Sequence, residues 1–581
     1  MDPTNRNTAF ASALADELAR AGVRHACVSP GSRSAPLALA LWKEPGIRVW
    51  VHVDERCSGF FALGLAQQTG QPVAVLTTSG TATANLHPAV AEASESRAPL
   101  VVITADRPPE LRDRGAGQTI DQLKLYGSAV RWFCEVGVQP ATEDGILHAR
   151  STAARAVAES LGAPPGPVHL NVALTEPLAP DLVEGDVPQE PSVALDGRSG
   201  ERPITKVSRP ALVPTLDLVS EFAELITAGR RGVILAGRQH DPGIAAAVAA
   251  LSDACGYPVL PEPTSQLRAG THSLENVVAH YDAIFRALPD RLAPELVVRV
   301  GDMVTSKAVR TWLTANRECR QVVVDPTDAW NEPTASADLI ARAEPGLLFE
   351  SFAEQMDRRP DRSWLEAWRD ADRAAAQAID EFLDRLGDEP FEPRVHRRLA
   401  AALPAMSTVY VASSMPVRDL ESFLPPVDRP LRFLANRGAN GIDGLVSSGL
   451  GAAAVAPGRT FVLLGDLALY HDMNGLLAYG QPGVEATLVV LNNFGGGIFD
   501  FLPVAKHREG YEELFGTPTG LDLERVATLY DLPFTRVASH PELDAALERP
   551  GMVEVVLDRP RNVELHGQVF ERVAAAVAQT R

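Results

Sequence analysis

The sequence predicts an α/β protein made of three consecutive doubly wound parallel-sheet domains. Short apolar runs rich in β-branched residues and bounded by Gly and Pro alternate with amphipathic stretches along most of the chain. That is the pattern of strands buried on both faces beneath covering helices. A stretch rich in Pro, Asp, Glu, Gly and Ser at 181–215 and a charged, Ala-rich stretch at 357–385 interrupt it and read as linker and connecting helix. The 581 residues have room for about three to five domains of ordinary size.

The expected organisation is a first domain over 1–185, a linker over 186–215, a central α/β domain over 216–356, a connecting helix over 357–385 and a third domain over 386–581. In the first, Val51–Val53 leads into a helix-like run from Cys57 to Gln68, and Pro72–Leu76 and Leu100–Thr104 read as strands. In the second, Gly232–Ala236, Leu296–Val300 and Gln321–Val324 read as strands and Ile244–Cys255 as a helix. The third offers Thr408–Ala412, Phe461–Leu464, Ala486–Leu491 and Met552–Leu557 as strands, with a helix-like stretch from Tyr470 to Tyr479. No short-period repeat is visible.

Composition narrows the function class. With 45% hydrophobic and 22% charged residues each domain can bury a core without staples. No apolar run approaches the ~18 residues of a membrane span, and the N-terminus lacks a signal-peptide pattern. The five cysteines are scattered, with no C-x-x-C pair, which speaks against a zinc or disulfide framework and fits a reducing cytoplasm. A formal net charge of −20 disfavours nucleic acid as a partner. It leaves room for a local anion site built from a few arginines.

The densest chemistry lies in the third domain. Phe461–Leu464 runs into Gly465-Asp466, and Ala486–Leu491 runs into Asn492-Asn493 and then Phe494-Gly495-Gly496-Gly497. Asp466 and Asn493, 27 residues apart, both follow predicted strands, where open α/β sheets bind ligands. A carboxylate, an amide oxygen and the Gly495 carbonyl supply three oxygens of the about six that Mg²⁺ takes, and Mg²⁺ readily completes its shell with phosphate. The glycines let backbone approach a phosphate closely. Read without a partner, Gly-Asp caps a helix and Asn-Asn makes a turn.

This G-D…N-N spacing resembles the thiamine-diphosphate (ThDP) motif, with Leu467 where most of that superfamily has a further glycine. Within the superfamily the chain resembles the MenD synthases of menaquinone biosynthesis. The matching segments are Ser29-Pro30-Gly31-Ser32-Arg33-Ser34-Ala35-Pro36, Ala105-Asp106-Arg107-Pro108-Pro109-Glu110-Leu111-Arg112-Asp113, Asn436 to Gly444 and Gly496-Gly497-Ile498-Phe499. The likeness runs from about residue 10 to the end, and is sparse in the middle domain.

The resemblance implies a transketolase-type transferase using ThDP with Mg²⁺, or Mn²⁺ in its place. Glu55, after Val51–Val53, would bond N1′ of the aminopyrimidine and promote loss of the thiazolium proton. Thr78, Gly80, Ser414, Ile442, Asp443, Gly465, Asp466, Leu467, Asn493, Gly495, Gly497, Ile498 and Phe499 would hold the cofactor, with Asp466, Asn493 and Gly495 on the metal. Ile442 would wedge the cofactor into a bent form, and Ile498, Phe499 and Leu502 would wall the reacting centre. Ser32, Arg33, Arg107, Gln118, Lys307, Ser414, Arg418 and Arg437 would bind substrate.

The implied reaction decarboxylates 2-oxoglutarate and adds the resulting succinyl carbanion to isochorismate. Both substrates are dicarboxylates, and Arg is the best bidentate partner for a carboxylate. Gly117 and Ala308 depart from the pattern of some relatives. His52, His87 and His471 read as structural. The implied assembly is a cytoplasmic homodimer with active sites at the interface, or a tetramer of such dimers. The alternatives are an acetolactate-synthase-like enzyme or 2-oxoacid decarboxylase, and a non-catalytic protein that keeps the fold. A nicotinamide dehydrogenase would need a G-x-G-x-x-G after a strand, which the sequence lacks.

Overall fold

A computed structural model describes residues 3–188, 190–239, 243–327, 329–356 and 360–580. It contains three all-parallel sheets in two compact units. One unit comprises residues 1–209, 436–456 and 471–485, and the other 210–435, 457–470 and 486–581. Two segments inside the third predicted domain thus pack with the first.

The first sheet contains β1 (His25–Val28), β2 (Arg48–Val51), β3 (Val73–Thr77), β4 (Leu100–Asp106), β5 (Trp132–Glu135) and β6 (Val168–Ala173), ordered β2-β1-β3-β4-β6-β5. The second contains β7 (Gly232–Ala236), β8 (Val259–Pro261), β9 (Leu296–Val300), β10 (Arg320–Val324) and β11 (Leu339–Ala341), ordered β11-β10-β9-β7-β8. The third contains β12 (Thr408–Val411), β13 (Arg432–Leu434), β14 (Thr460–Gly465), β15 (Thr487–Asn492), β16 (Phe534–Val537) and β17 (Gly551–Val556), ordered β13-β12-β14-β15-β17-β16.

The first and third sheets share one strand order, a structural duplication with no legible sequence repeat. The central strands are the apolar runs of the sequence. All residues of β3, β4 and β15 are buried, as strands covered on both faces must be.

The helices that matter for the site are α1 (Glu55–Thr69), α2 (Thr81–Asn85), α3 (His87–Glu95), α4 (Lys307–Ala315), α5 (Ser363–Arg385), α6 (Glu392–Ala402), α7 (Met415–Phe423), α8 (Leu445–Ala453), α9 (Asp466–His471) and α10 (Arg559–Ala578). Two differ from expectation. The helix after β14 begins at Asp466 itself, and Met473–Gly480 is a 3₁₀ segment rather than the middle of a longer α-helix. The connecting helix is Ser363–Arg385. Residues 357–359, where it was expected to start, lie outside the described residues.

Within the first unit α1 and α8 pack backbone to backbone. A Cβ on Gly64 would lie 1.9 Å from the Ser448 carbonyl oxygen, and one on Gly451 would lie 2.1 Å from that of Phe61. Asp472 accepts from the Ser447 amide at 2.6 Å and from its hydroxyl at 3.0 Å, and Cys57 Sγ donates to the same carboxylate at 3.5 Å. Burial raises the pKa of Asp472 to about 6. The start of α1 and the first turn of α8 are thereby fixed together.

In the second unit Gln266 joins the central and third sheets. Its side chain donates to the Phe433 carbonyl at 2.7 Å and accepts from the Phe433 amide at 3.2 Å. Because the α1–α8 contact has no room for a side chain, Gly64→Val should destabilise the protein by about 1–3 kcal/mol. Thermal or urea unfolding checks this, with Gly567→Ala, on α10 where a Cβ meets open space, as the mild control.

Candidate active site

The residues singled out in the sequence gather at the carboxyl ends of the strands. In the first sheet Ser32 and Arg33 follow β1, Glu55 follows β2, Thr78 and Gly80 follow β3, and Arg107 and Gln118 follow β4. The third sheet repeats the arrangement strand for strand. Ser414 and Arg418 follow β12, Arg437 follows β13, Asp466 ends β14, and Asn493 and Gly495 follow β15. In both sheets the chain turns to opposite sides after the two central neighbours, β1 and β3 in one and β12 and β14 in the other. Such a switch point opens a crevice above the strand ends.

Asp466 and Asn493 end adjacent strands, since β14 pairs with β15. Asp466 is 5% exposed and Asn493 9% exposed. Oδ1 of each is buried and has no hydrogen-bond partner among the described residues. Buried polar atoms are nearly always paired, and leaving one unpaired costs about 1–3 kcal/mol. Two orphan oxygens on neighbouring strand ends are what an oxygen-seeking cation satisfies.

Burial raises the Asp466 pKa to about 6, while the backbone N–H groups of Asp466, Leu467 and Gly495 and the charge of Arg559 hold it down. Asn492 is used otherwise: its side-chain nitrogen donates to Glu554 at 2.6 Å and its side-chain oxygen accepts from the Phe494 amide at 3.1 Å. Of the Asn-Asn pair, only Asn493 therefore offers an open side-chain oxygen. Gly497 must be glycine because a Cβ there would lie 2.5 Å from Asn493 Nδ2. Gly495 has φ +142°, and a Cβ would meet the Gly516 carbonyl oxygen at 2.1 Å. The donor set of carboxylate, amide oxygen and glycine-rich backbone fits a divalent ion with a diphosphate. Ile498 and Phe499 follow directly, half-buried, with Phe499 against Phe515 at 5.4 Å between ring centres.

In the first unit Glu55 is the first residue of α1, behind an Asp54 cap that accepts from the Arg56 and Cys57 amides. The Glu55 carboxylate is half-buried and accepts from Asn85 Nδ2 at 3.2 Å. Arg33 and Arg107 lie close enough that the charge of Arg33, after burial, lowers the Arg107 pKa. Arg33 donates to the Leu174 carbonyl at 2.9 Å and pairs with Glu176 at 3.4 Å, while its Nε has no partner among the described residues. Arg107 donates to the Ser79 hydroxyl, Ser79 donates to the Gln118 carbonyl at 3.0 Å, and Gln118 Nε2 donates to the Ser79 carbonyl at 3.2 Å. Two guanidinium groups and an amide thus converge on the turn holding Thr78 and Gly80.

Gly80 and Ser414 precede helices α2 and α7 with nearly the same backbone, φ 84° and ψ −140° against φ 75° and ψ −134°. A serine in that conformation carries about 1–3 kcal/mol of strain, a cost met mostly at functional sites. Arg418, one turn into α7, donates to the Ser414 carbonyl. Arg437 is half-buried on a loop gripped from below, where Glu92 of α3 accepts from the Gly438 and Ala439 amides at 2.7 Å each. Ile442 and Asp443 complete that loop ahead of α8. Lys307 stands exposed at the start of α4, beyond β9 of the central sheet.

Four supporting residues escaped the sequence reading. Besides Glu92, they are Gln122, which accepts from the Gly80 amide at 3.0 Å and donates to Asn171 at 2.9 Å, Asp106, which accepts from the Arg107 amide at 2.7 Å and pairs with Arg112 at 2.9 Å, and Arg559. The last is held by Asp500 at 3.1 Å and Glu512 at 2.6 Å, leaving a buried Nη1 without a partner among the described residues, 2.8 Å from where a Gly495 Cβ would stand. Asp106 and the loop that Glu92 grips lay inside matched segments, and nothing local marked Gln122 or Arg559.

Three family models match the chain. Residues 8–125 match the N-terminal TPP binding domain of thiamine pyrophosphate enzymes, 215–411 the middle domain and 419–555 the C-terminal TPP binding domain. The chain is 44% identical to the 2-succinyl-5-enolpyruvyl-6-hydroxy-3-cyclohexene-1-carboxylate synthase of Geobacillus kaustophilus, covering 98% of each chain. It is 44% identical to that of Halobacterium salinarum over 94% of each, and 43% identical to that of Myxococcus xanthus over 99% of this chain and 98% of the relative. With the strand-end geometry of two like sheets and this identity over nearly its whole length, the chain belongs to the 2-succinyl-5-enolpyruvyl-6-hydroxy-3-cyclohexene-1-carboxylate synthase family of thiamine pyrophosphate enzymes.

Proposed function

We propose that the protein joins 2-oxoglutarate to isochorismate with loss of CO₂, giving 2-succinyl-5-enolpyruvyl-6-hydroxy-3-cyclohexene-1-carboxylate, a step of menaquinone biosynthesis. The observation that carries this is the pair of orphan oxygens on Asp466 and Asn493, on neighbouring strand ends of the third sheet. When bound, thiamine diphosphate supplies the nucleophilic carbon and the electron sink for decarboxylation.

The chain's own residues do the rest. Asp466, Asn493 and the Gly495 carbonyl hold Mg²⁺ or Mn²⁺, and through it the diphosphate. Glu55 holds the proton shared with N1′ of the aminopyrimidine, the contact that makes the neighbouring nitrogen basic. Arg33 and Arg107, with Ser32 and Gln118, bind isochorismate. Arg418, Arg437 and Ser414 orient the 2-oxoglutarate carboxylates, and Lys307 adds a cation. A wall of Ile498, Phe499 and Leu502 excludes water where charge disperses as CO₂ leaves, and Ile442 wedges the cofactor into its bent form. We further propose a homodimer in which one subunit supplies Glu55 and its partner the metal ligands, at work in the cytoplasm. No described helix is long and apolar enough to cross a membrane.

An acetolactate-type reaction on pyruvate alone would leave the arginine pair of the first unit without anions to bind. Glu55→Gln should leave a folded protein whose turnover falls at least about 10²-fold, read as isochorismate consumption; unchanged turnover would remove Glu55 from the chemistry. Asp466→Asn should abolish metal-dependent retention of thiamine diphosphate in equilibrium dialysis while the far-ultraviolet circular dichroism stays unchanged. Glu92→Gln should raise the KM for 2-oxoglutarate several-fold with a smaller change in kcat, because it loosens the loop that carries Arg437 and removes no contacting group.

A further inference from the structure

Away from the strand ends, a second set of unsatisfied groups lies wholly inside the third domain. Glu392 and His396 lie on α6, and Asp419 on α7. They are 1%, 0% and 2% exposed, and one potential ligand atom from each lies within 4.8 Å of the other two. Both ring nitrogens of His396 and Oδ2 of Asp419 are buried without a hydrogen-bond partner among the described residues. A fully buried imidazole with neither nitrogen bonded is rare in a folded protein. These three atoms point to something other than another side chain.

The surroundings resemble the outer shell of a metal centre. On α10, Asn562 donates to Glu392 Oε2 at 3.1 Å, and its side-chain oxygen accepts from the Glu392 amide at 3.3 Å. One turn on, His566 Nδ1 lies 2.7 Å from the Asn562 carbonyl, an acceptor only, so Nδ1 carries a hydrogen. Its Nε2 holds Asp419 Oδ1 at 3.0 Å, leaving Oδ2 to face inward. Phe391, Phe423 and Phe501 pack round the His566 ring with centroids 4.9, 5.8 and 5.0 Å away. Ligating carboxylates oriented by outer hydrogen bonds in an apolar shell are the usual construction of such a site.

We propose that Glu392, His396 and Asp419 form a buried site for one divalent transition-metal ion, zinc by preference, separate from the Asp466–Asn493 pair. The spacing supports it. The three ligand atoms make no hydrogen bonds to one another yet share one small volume, whereas ligand atoms about 2.0–2.2 Å from a common zinc lie roughly 3.4 Å apart in a tetrahedral shell. Mg²⁺ prefers oxygen and water, while one imidazole with two carboxylates suits zinc, which stands above manganese and iron in affinity.

Because every ligand is buried, the ion must enter as the chain folds. Tag-free protein would be produced in zinc-supplemented medium, dialysed against EDTA to strip surface metal, and assayed for zinc by mass spectrometry beside His396→Leu, Asp419→Asn and Asp466→Asn. The expected result is about one zinc per chain in the unaltered protein and in Asp466→Asn, with at least a tenfold loss in His396→Leu and Asp419→Asn. Protein produced with cobalt should show visible absorption bands that vanish in His396→Leu. Zinc content below a tenth per chain in the unaltered protein, or content that persists in His396→Leu, overturns the proposal. If neither ligand variant folds, the cobalt spectrum of the unaltered protein decides alone: no visible bands means no site.

Discussion

Two buried oxygens with no hydrogen to accept among the described residues, Oδ1 of Asp466 and Oδ1 of Asn493, set the terms for the rest of the molecule. Leaving such atoms unpaired is costly, and a bound cation offsets the desolvation. Their position follows from the sheet. β14 and β15 are adjacent and parallel, so their carboxyl ends deliver both side chains to one place. The glycine-rich turn beyond β15 leaves the backbone low enough for a phosphate-bearing ligand. Gly497 is glycine because the Asn493 side chain occupies the space a Cβ would need.

The second theme is duplication. The first and third sheets have the same strand order, and each places its chemistry after the same four strands. One copy supplies an acid, Glu55, and an arginine pair. The other carries Asp466, Asn493 and a different pair of arginines. A backbone device also recurs, though after strands that do not correspond: Gly80 beyond β3 and Ser414 beyond β12 adopt nearly the same unusual conformation. At Ser414 a side chain bears the strain that glycine avoids at Gly80.

Much of this was legible in the sequence because it is local. Gly232–Ala236, Leu296–Val300 and Ile244–Cys255 are present with the bounds their apolar patterns gave. The Asp466–Asn493 motif was legible because each residue sits directly past an apolar strand. Edge strands such as β5 and β16 were missed, being short and only partly buried, so their side chains lack a continuous apolar signature. The helix after β14 was placed too late, from Tyr470, whereas Asp466 itself opens it. Glu92, Gln122 and Arg559 could not be found from sequence. Their roles come from partners 346, 42 and 47 residues away, separations that no local pattern encodes. The Glu392–His396–Asp419 cluster was invisible for the same reason, its fixing residues lying on the last helix.

The most direct measurement follows isochorismate spectroscopically with purified protein, thiamine diphosphate, Mg²⁺ and 2-oxoglutarate, and then with each component left out in turn. The account predicts that isochorismate disappears only when all are present, with one CO₂ released per molecule consumed. Isochorismate left untouched while 2-oxoglutarate or pyruvate is decarboxylated would contradict the assignment of the arginines to a second dicarboxylate, and consumption without metal would contradict the role given to Asp466 and Asn493.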